Sequence, residues 1–286
     1  LIRCVTKICW GVQGMDIGRD FNEYDVKAEK ETKTGLLSGV VLKGIRYFSL
    51  LVILVIVWEV VCRYGAVKSY SMPAPGMIVQ DAVEKLRSGV LLKHITVSFL
   101  RVLEGFLVAL ISALILGVLI GLSKHVEQFT ELVLQILKPI PPIAWIPLAI
   151  LWFGIGESSK LYIIFYGAFF PILLNTVDGI HNIDKRYLEL GRVYEMKKVR
   201  LVSKVILPGA LPSILTGIRV GLGNAWVCVV AAEMIAATKG IGYMLSNGRS
   251  MSRADDVILA MLLIGIVGKI MDDVLKILSA RLMKWK

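Results

Sequence analysis

Phe99-Leu100-Arg101-Val102-Leu103-Glu104-Gly105-Phe106-Leu107-Val108-Ala109-Leu110-Ile111-Ser112-Ala113-Leu114-Ile115-Leu116-Gly117-Val118-Leu119-Ile120-Gly121-Leu122 is the stretch that decides the fold. Coiled as a helix it extends ~36 Å at about 1.5 Å per residue, enough to cross a hydrocarbon layer of about 30 Å. Gly105, Ala109, Ala113, Gly117 and Gly121 fall on one i+4 row. Such a row lets a neighbouring backbone approach closely, which is how helices pack inside a bilayer.

Runs of the same kind recur along the chain. They cover Gly44 to Cys62, Phe129 to Phe153, Lys160 to Val177, Ser213 to Ala236 and Val257 to Leu278. The fifth run repeats the small-residue row with Ser213, Gly217, Gly221 and Ala225, so the second and fifth helices are expected to be central and tightly packed. The 286 residues are 56% hydrophobic, with a mean hydropathy of +0.71. A soluble protein of this length cannot hide that much apolar surface in a core. The reading is an all-α polytopic membrane protein with about six transmembrane helices.

Residues 1–42 are polar and mixed in charge, and read as a cytoplasmic tail; residues 43–286 form the transmembrane domain. No stretch before Leu36 has the form of a cleaved signal peptide. Between the first two spans, Ile78, Ala82, Val83 and Leu86 recur at helical spacing opposite Asp81, Glu84, Lys85 and Arg87. That pattern predicts a short amphipathic helix on the membrane surface.

The formal charge of +11 follows from loop composition and not from a nucleic-acid surface, since no basic stretch is interleaved with aromatics. With both termini inside, the inner segments hold roughly twenty Lys and Arg against about nine outside. Cytoplasmic termini are therefore expected. The four cysteines, Cys4, Cys9, Cys62 and Cys228, show neither metal-ligand spacing nor a disulfide framework.

Pro139, Pro141, Pro142 and Pro147 interrupt the third run. Each proline removes a backbone donor and leaves a carbonyl one turn earlier short of its partner. Hydrocarbon tolerates this only where protein or a water-lined cavity satisfies the carbonyl. Two readings stay open: a kink buried in protein, or a break that lines or gates a pathway.

The segment Lys185-Arg186-Tyr187-Leu188-Glu189-Leu190-Gly191-Arg192-Val193-Tyr194-Glu195-Met196-Lys197-Lys198-Val199-Arg200 places dense charge between the fourth and fifth spans. The spacing predicts a helix from Tyr187, a turn near Tyr194–Met196 and a second helix from about Lys197. Leu188, Leu190, Val193, Tyr194 and Met196 would form an apolar side fit for a groove on another protein, with Glu189 pairing at its rim. Leu207-Pro208 closes the segment and Pro212 leads into the fifth span.

A Glu, small or apolar residues, a turn, then an aliphatic residue and Leu-Pro resemble the ATPase-docking loop of ABC importer permeases. Pro139-Ile140-Pro141-Pro142-Ile143-Ala144-Trp145-Ile146-Pro147-Leu148, Leu151-Trp152-Phe153-Gly154-Ile155-Gly156-Glu157, Gly167-Ala168-Phe169-Phe170-Pro171-Ile172, Ala231-Ala232-Glu233-Met234-Ile235 and Gly240-Ile241-Gly242-Tyr243 resemble the nitrate/sulfonate/taurine/bicarbonate branch. The resemblance covers residues from about 70 to 286. It implies a type I ABC importer permease bundle with a docking loop at 181–212, centred on Leu188, Glu189, Leu190, Gly191, Tyr194, Glu195, Met196, Leu207 and Pro208.

It also implies partners: cytoplasmic ATPase subunits that carry ATP and magnesium, an external binding protein, and a second permease copy in a bacterial inner membrane. The loop departs from the family pattern, because Leu190 and Gly191 follow Glu189 and Glu195 holds the usual glycine position. If that turn needs a positive φ, the non-glycine residue costs about 1–2 kcal/mol.

No phosphate-binding loop of the form G-x-x-x-x-G-K-[ST] occurs, so an ATP energy source must lie on another chain. No Ser/His/Asp, Cys/His or metal constellation appears, which points away from an enzyme. Asn175, Arg219, Asn224, Cys228 and Glu233 are polar residues inside spans, and with Pro139, Pro141 and Pro142 they are the pathway candidates. The resemblance implies small oxyanions or sulfonates as the cargo. A pyrimidine-type vitamin precursor is the alternative, and an ion-coupled secondary transporter using Glu233 is the competing class.

Overall fold

The computed structural model describes residues 49–50, 52–62 and 72–283. The tail 1–42, the start of the first span and the last basic residues Lys284 and Lys286 lie outside the described residues. The chain divides into Leu1–Gly65 and Ala66–Lys286. In the first unit, α1 (Val52–Cys62) is the described part of the first span.

Helices are the regular structure of the second unit's described residues. It runs α2 (Pro75–Arg87), α3 (Val90–Leu122), α4 (Lys124–Leu137), a 3₁₀ turn (Pro142–Trp145), α5 (Ile146–Phe153) and α6 (Glu157–His181). Then come α7 (Lys185–Val193), α8 (Lys198–Leu201), a π-helical turn (Val202–Ile206), α9 (Leu207–Ala236), α10 (Ile241–Ser250) and α11 (Ala254–Leu282). Pro75 opens α2 where its missing N–H costs nothing, and Gly89 at φ 74 ends that helix and turns the chain into α3.

Among the described residues, three helical runs are long and apolar enough to cross a membrane: Val90–Leu122, Glu157–His181 and the 39-residue run Lys198–Ala236. The third expected span appears as two pieces, Lys124–Leu137 and Pro142–Phe153, bent by 86° at the prolines. α11 is 29 residues long, with Asp255 and Asp256 near one end and Lys269, Asp272 and Asp273 breaking its apolar surface near the other. α10 was not legible as an element, and packs against α9 and α11.

α6 is the central helix. Small residues on α3 and α9 both face it. A Cβ on Gly105 would stand 2.7 Å from Ile164 Cγ2, one on Gly117 2.9 Å from Thr176, and one on Gly221 2.8 Å from Ile172 Cγ1. α6 returns the favour with Gly179, where a Cβ would lie 2.7 Å from Ser213. The two ridges therefore seat one shared helix. Each ridge occupies a single face, so α3 still presents Leu107, Val108, Ile111, Ile115 and Leu119 outward.

The amphipathic helix is pinned at one corner of the bundle. Ile78 is buried, and Lys85 bridges Asp81 of its own helix to Asp256 of α11. Arg253 Nε also holds Asp256, at 3.1 Å.

Candidate functional site

The charged segment after α6 folds as a helical hairpin. Asp184 Oδ1 accepts the Arg186 N–H at 2.9 Å and starts α7. The Met196 N–H donates to Gly191 O at 3.0 Å and closes the turn. Glu195 sits at φ 47, in the left-handed region that favours glycine. The expected second helix begins at Lys198, one residue from its sequence estimate.

Gly191 is buried where α7 crosses the next segment, and a Cβ there would collide with Leu201 Cδ1. Met196 is half-buried beside it, while Glu189, Glu195 and Pro208 are exposed and Leu207 is half-buried. The side chains of Leu188 and Leu190 lie outside the described residues. Tyr187, Val193, Tyr194 and Val199 project outward, the last three each more than three-quarters exposed. Four large apolar groups on so short a segment form an unpartnered surface of the kind that marks a protein interface.

The base of this hairpin is fastened to the bundle. Ile180, Ile206, Ala210 and Ile214 form one buried cluster, with Leu114, Val118, Ile183, Leu201, Val202 and Ile218 against it. α8, the π turn and α9 follow one another without a break. The base of the hairpin thus packs on both α9 and, through Ile180, α6.

At the proline break, the sequence asked what satisfies the stranded carbonyls. For Leu137 the answer is Tyr166 of α6, whose hydroxyl donates to Leu137 O at 2.7 Å. The Trp145 ring packs 5.1 Å from that of Tyr166. Pro139 and Pro141 are exposed and Pro142 is half-buried, so the break is partly built into protein and partly open.

Opposite the hairpin, at the start of α3 and α6 and the end of α9, lies a polar cluster. Glu233 is 1% exposed. Its carboxylate accepts from Arg101 Nη1 at 2.8 Å, from Ser98 Oγ at 2.8 Å and from the Gly242 N–H at 3.0 Å. Arg101 also donates to Lys239 O at 2.7 Å and grips Glu157 through Nε and Nη2 at 2.6 and 2.7 Å. Lys160 reaches Glu157 at 3.0 Å. Ser98 Oγ accepts the Ile241 N–H at 2.8 Å and His94 Nδ1 accepts that of Gly240 at 3.0 Å.

The first amides of α10 are thus capped by side chains from α3 and α9. Gly240, at φ 124, leaves no room for a Cβ beside the Glu233 carboxylate. Arg101, Ser98 and Glu157 were not named as site residues from the sequence. The signal was available, because a lone cation inside an apolar run requires a buried counter-charge.

The remaining pathway candidates separate. Cys228 is buried with Ile146, Ala149, Ile163 and Ala232, and its Sγ fills the space over Gly167. Asn175 is half-buried, bonded to Pro171 O at 2.8 Å and packed on Gly217. Arg219 and Asn224 are exposed on one face of α9. Arg219 holds Asp272 of α11 through two bonds of 2.5 and 2.6 Å. No group of three or more His, Cys, Asp or Glu among the described residues is arranged to hold a metal ion.

Comparison with known proteins places this architecture. Residues 105–284 match the family described as binding-protein-dependent transport system inner membrane component. The Bacillus subtilis protein named as aliphatic sulfonates transport permease SsuC is 39% identical over 234 residues, covering 82% of this chain and 85% of its own. The taurine transport system permease protein TauC of Escherichia coli is 30% identical over 82% of this chain and 87% of its own. The nitrate import permease protein NrtB of Synechocystis is 30% identical over 83% and 89%.

Among solved structures, a chain of the MetNI methionine ABC transporter in an inward-facing form aligns with a TM-score of 0.50 at 18% identity, covering 68% of this chain and 98% of that one. At that identity the likeness concerns the fold alone. The family model and the relatives agree: the chain belongs to the binding-protein-dependent transport system inner membrane components, the multi-pass permease subunits of ABC importers.

Proposed function

We propose that this chain is the membrane permease of an ATP-driven importer for a small sulfonate or oxyanion, working as a pair of copies with two cytoplasmic ATPases and an external binding protein. The observation that carries the reading is the 185–201 hairpin. It presents Tyr187, Val193, Tyr194 and Val199 to solvent while its base is locked into α6 and α9. The substrate class follows the names of the sulfonate, taurine and nitrate relatives, each matched over more than four-fifths of this chain.

In this reading the hairpin end and both termini are cytoplasmic, and the Arg101–Glu233 cluster lies toward the outer face. ATP and magnesium bind the partner subunits. Their closure draws two hairpins together, and α9 carries that movement into the membrane. The half-open proline break and the exposed stripe of α9 then line the route, with Asn175 at the α6–α9 seam. Ion coupling through Glu233 is disfavoured, because three donors already hold its carboxylate.

The test is purification of the tagged chain from mild detergent, together with uptake by intact cells. A phosphate-loop ATPase should copurify and be lost in Glu189→Lys/Met196→Lys, with uptake of taurine, ethanesulfonate or nitrate abolished by ATP depletion. A chain that purifies alone and supports ATP-independent uptake sinks the proposal.

A further inference from the structure

We propose that the guanidinium of Arg219 is an oxyanion subsite of the translocation route, occupied at rest by Asp272 and opened when a sulfonate or nitrate displaces that carboxylate. This rests on the permease reading above and adds to it the residue that recognises the cargo.

The first argument is depth. Gly217 packs on Asn175 and Pro171 of α6, and Gly221 packs on Ile172 and Ala168. Arg219 is therefore level with about Ile172, some nine residues or ~14 Å from the hairpin end of α6 and ~22 Å from its other end. An ion pair at that level belongs to the membrane interior. Yet the side chains of Arg219 and Asp272 are 46% and 39% exposed. Charges at such depth are not left facing lipid tails, so this face meets water or cargo.

The second argument is the company Arg219 keeps. Thr216, Arg219, Val220, Gly223, Asn224 and Val227 are all exposed, at the i, i+3, i+4, i+7, i+8 and i+11 spacing of one helix face. The Asn224 side chain makes no hydrogen bond to any described residue. A Cβ on Gly223 would meet nothing within 4 Å, so there is open space one turn beyond Arg219. A small cleft of about 40 Å³ between α9 and α11 is lined by Arg219, Gly223, Trp226 and Asp272.

Geometry supplies the third. Asp272 meets Arg219 through two oxygens on Nε and Nη2, the fork arrangement that a sulfonate or nitrate also presents. The bound carboxylate is in effect a stand-in for the anion. Exchange of one for the other preserves both charge-assisted bonds. The released Asp272 has Lys276 at i+4 on α11 to receive it, Lys269 being paired with Asp273.

The test uses the full importer, permease with ATPase and binding protein, and the three probes taurine, ethanesulfonate and nitrate. Arg219→Gln should lower uptake by about tenfold or more while ATP hydrolysis continues. Asp272→Asn should raise uptake, by about twofold, because the resident competitor is gone. The exchange Arg219→Asp/Asp272→Arg should not restore it.

Equal losses in the two single variants, with recovery in the exchange, would make the pair a structural tie and overturn the proposal. Unchanged uptake in Arg219→Gln would do the same. If Arg219→Gln fails to assemble with the ATPase, Arg219→Lys and Asp272→Asn carry the test, with partial loss and gain expected; the opposite signs overturn it. A wild-type complex that carries none of the three probes removes the substrate reading itself, an outcome distinct from any pattern among the variants.

Discussion

The carboxylate of Glu233 is salt-bridged to Arg101 at 2.8 Å, with no exposed side-chain surface on the acid and 9% on the base. The pair joins α3 to α9; Glu233 holds the Gly242 amide, and Ser98, itself bonded to Glu233, holds that of Ile241, which together fix the start of α10. Burying two charges is costly, and the pair persists because every neighbouring donor and acceptor closes on it. Removing one member leaves the other stranded.

Glu233→Ala should therefore lower the stability of the detergent-solubilised complex by about 3–5 kcal/mol, read as a fall in melting temperature. Arg101→Met/Glu233→Met should recover much of that loss, since neither charge is then uncompensated. Glu233→Gln keeps the shape and the Gly242 bond, and ATP-driven uptake should survive in it. Loss of uptake in Glu233→Gln with normal stability would show that the charge itself takes part in transport.

Tyr166→Phe tests the proline break. The hydroxyl is the side-chain donor to Leu137 O, while the weaker Ile140 N–H contact at 3.2 Å remains. Its removal should destabilise the fold by about 1 kcal/mol, the net worth of one hydrogen bond to a half-buried carbonyl that keeps a second contact. Cysteines at Ile140 and Ile143 should label faster in that background than in the parent. Identical labelling rates would mean that the break is held by something other than this bond.

What the sequence disclosed follows from the range of each interaction. Gly105, Gly117, Gly217 and Gly221 were legible because a small residue on an i+4 row announces its own face. Their shared partner α6 was not, since it meets them with Ile164, Ile172 and Thr176, ordinary membrane side chains with no period of their own. The hairpin was legible because its turn and both helices are set by neighbours within twenty residues. α10 escaped because its caps, Ser98, His94 and Glu233, come from other helices. Arg101 escaped for the same reason: its two carboxylates lie 56 and 132 residues away.

Gly191 should accept alanine, because the atom that a Cβ would meet is the movable end of Leu201, but resist a bulkier residue. A β-branched side chain would push Leu201 aside and strain the contact between α7 and the segment that leads into α9. Gly191→Val is expected to leave the chain in the membrane but to reduce coupled ATP hydrolysis by about tenfold, since uncoupling leaves the bundle itself intact. Gly191→Val/Leu201→Ala, which makes room for the added methyls, should recover part of it. Failure of the second change to help would mean that Gly191 is needed for contact with the ATPase and not for packing.

Glu195 offers the sharpest test of the hairpin, because its backbone conformation and its side chain make opposite predictions. At φ 47 an ordinary residue pays about 1–2 kcal/mol that glycine avoids, so Glu195→Gly should stiffen the turn against proteolysis between Val193 and Lys198. The exposed carboxylate makes no hydrogen bond or ion pair with a described residue. If the turn geometry alone matters, Glu195→Gly preserves or raises ATPase copurification and coupled uptake, and Glu195→Ala, which keeps the strain and drops the charge, behaves like the parent. If the carboxylate has a basic partner on the ATPase, both variants lose coupling to the same degree, and the loss deepens little with added salt because the pair is already gone. The two patterns differ in the sign of the glycine variant, so a single coupled-hydrolysis assay separates them.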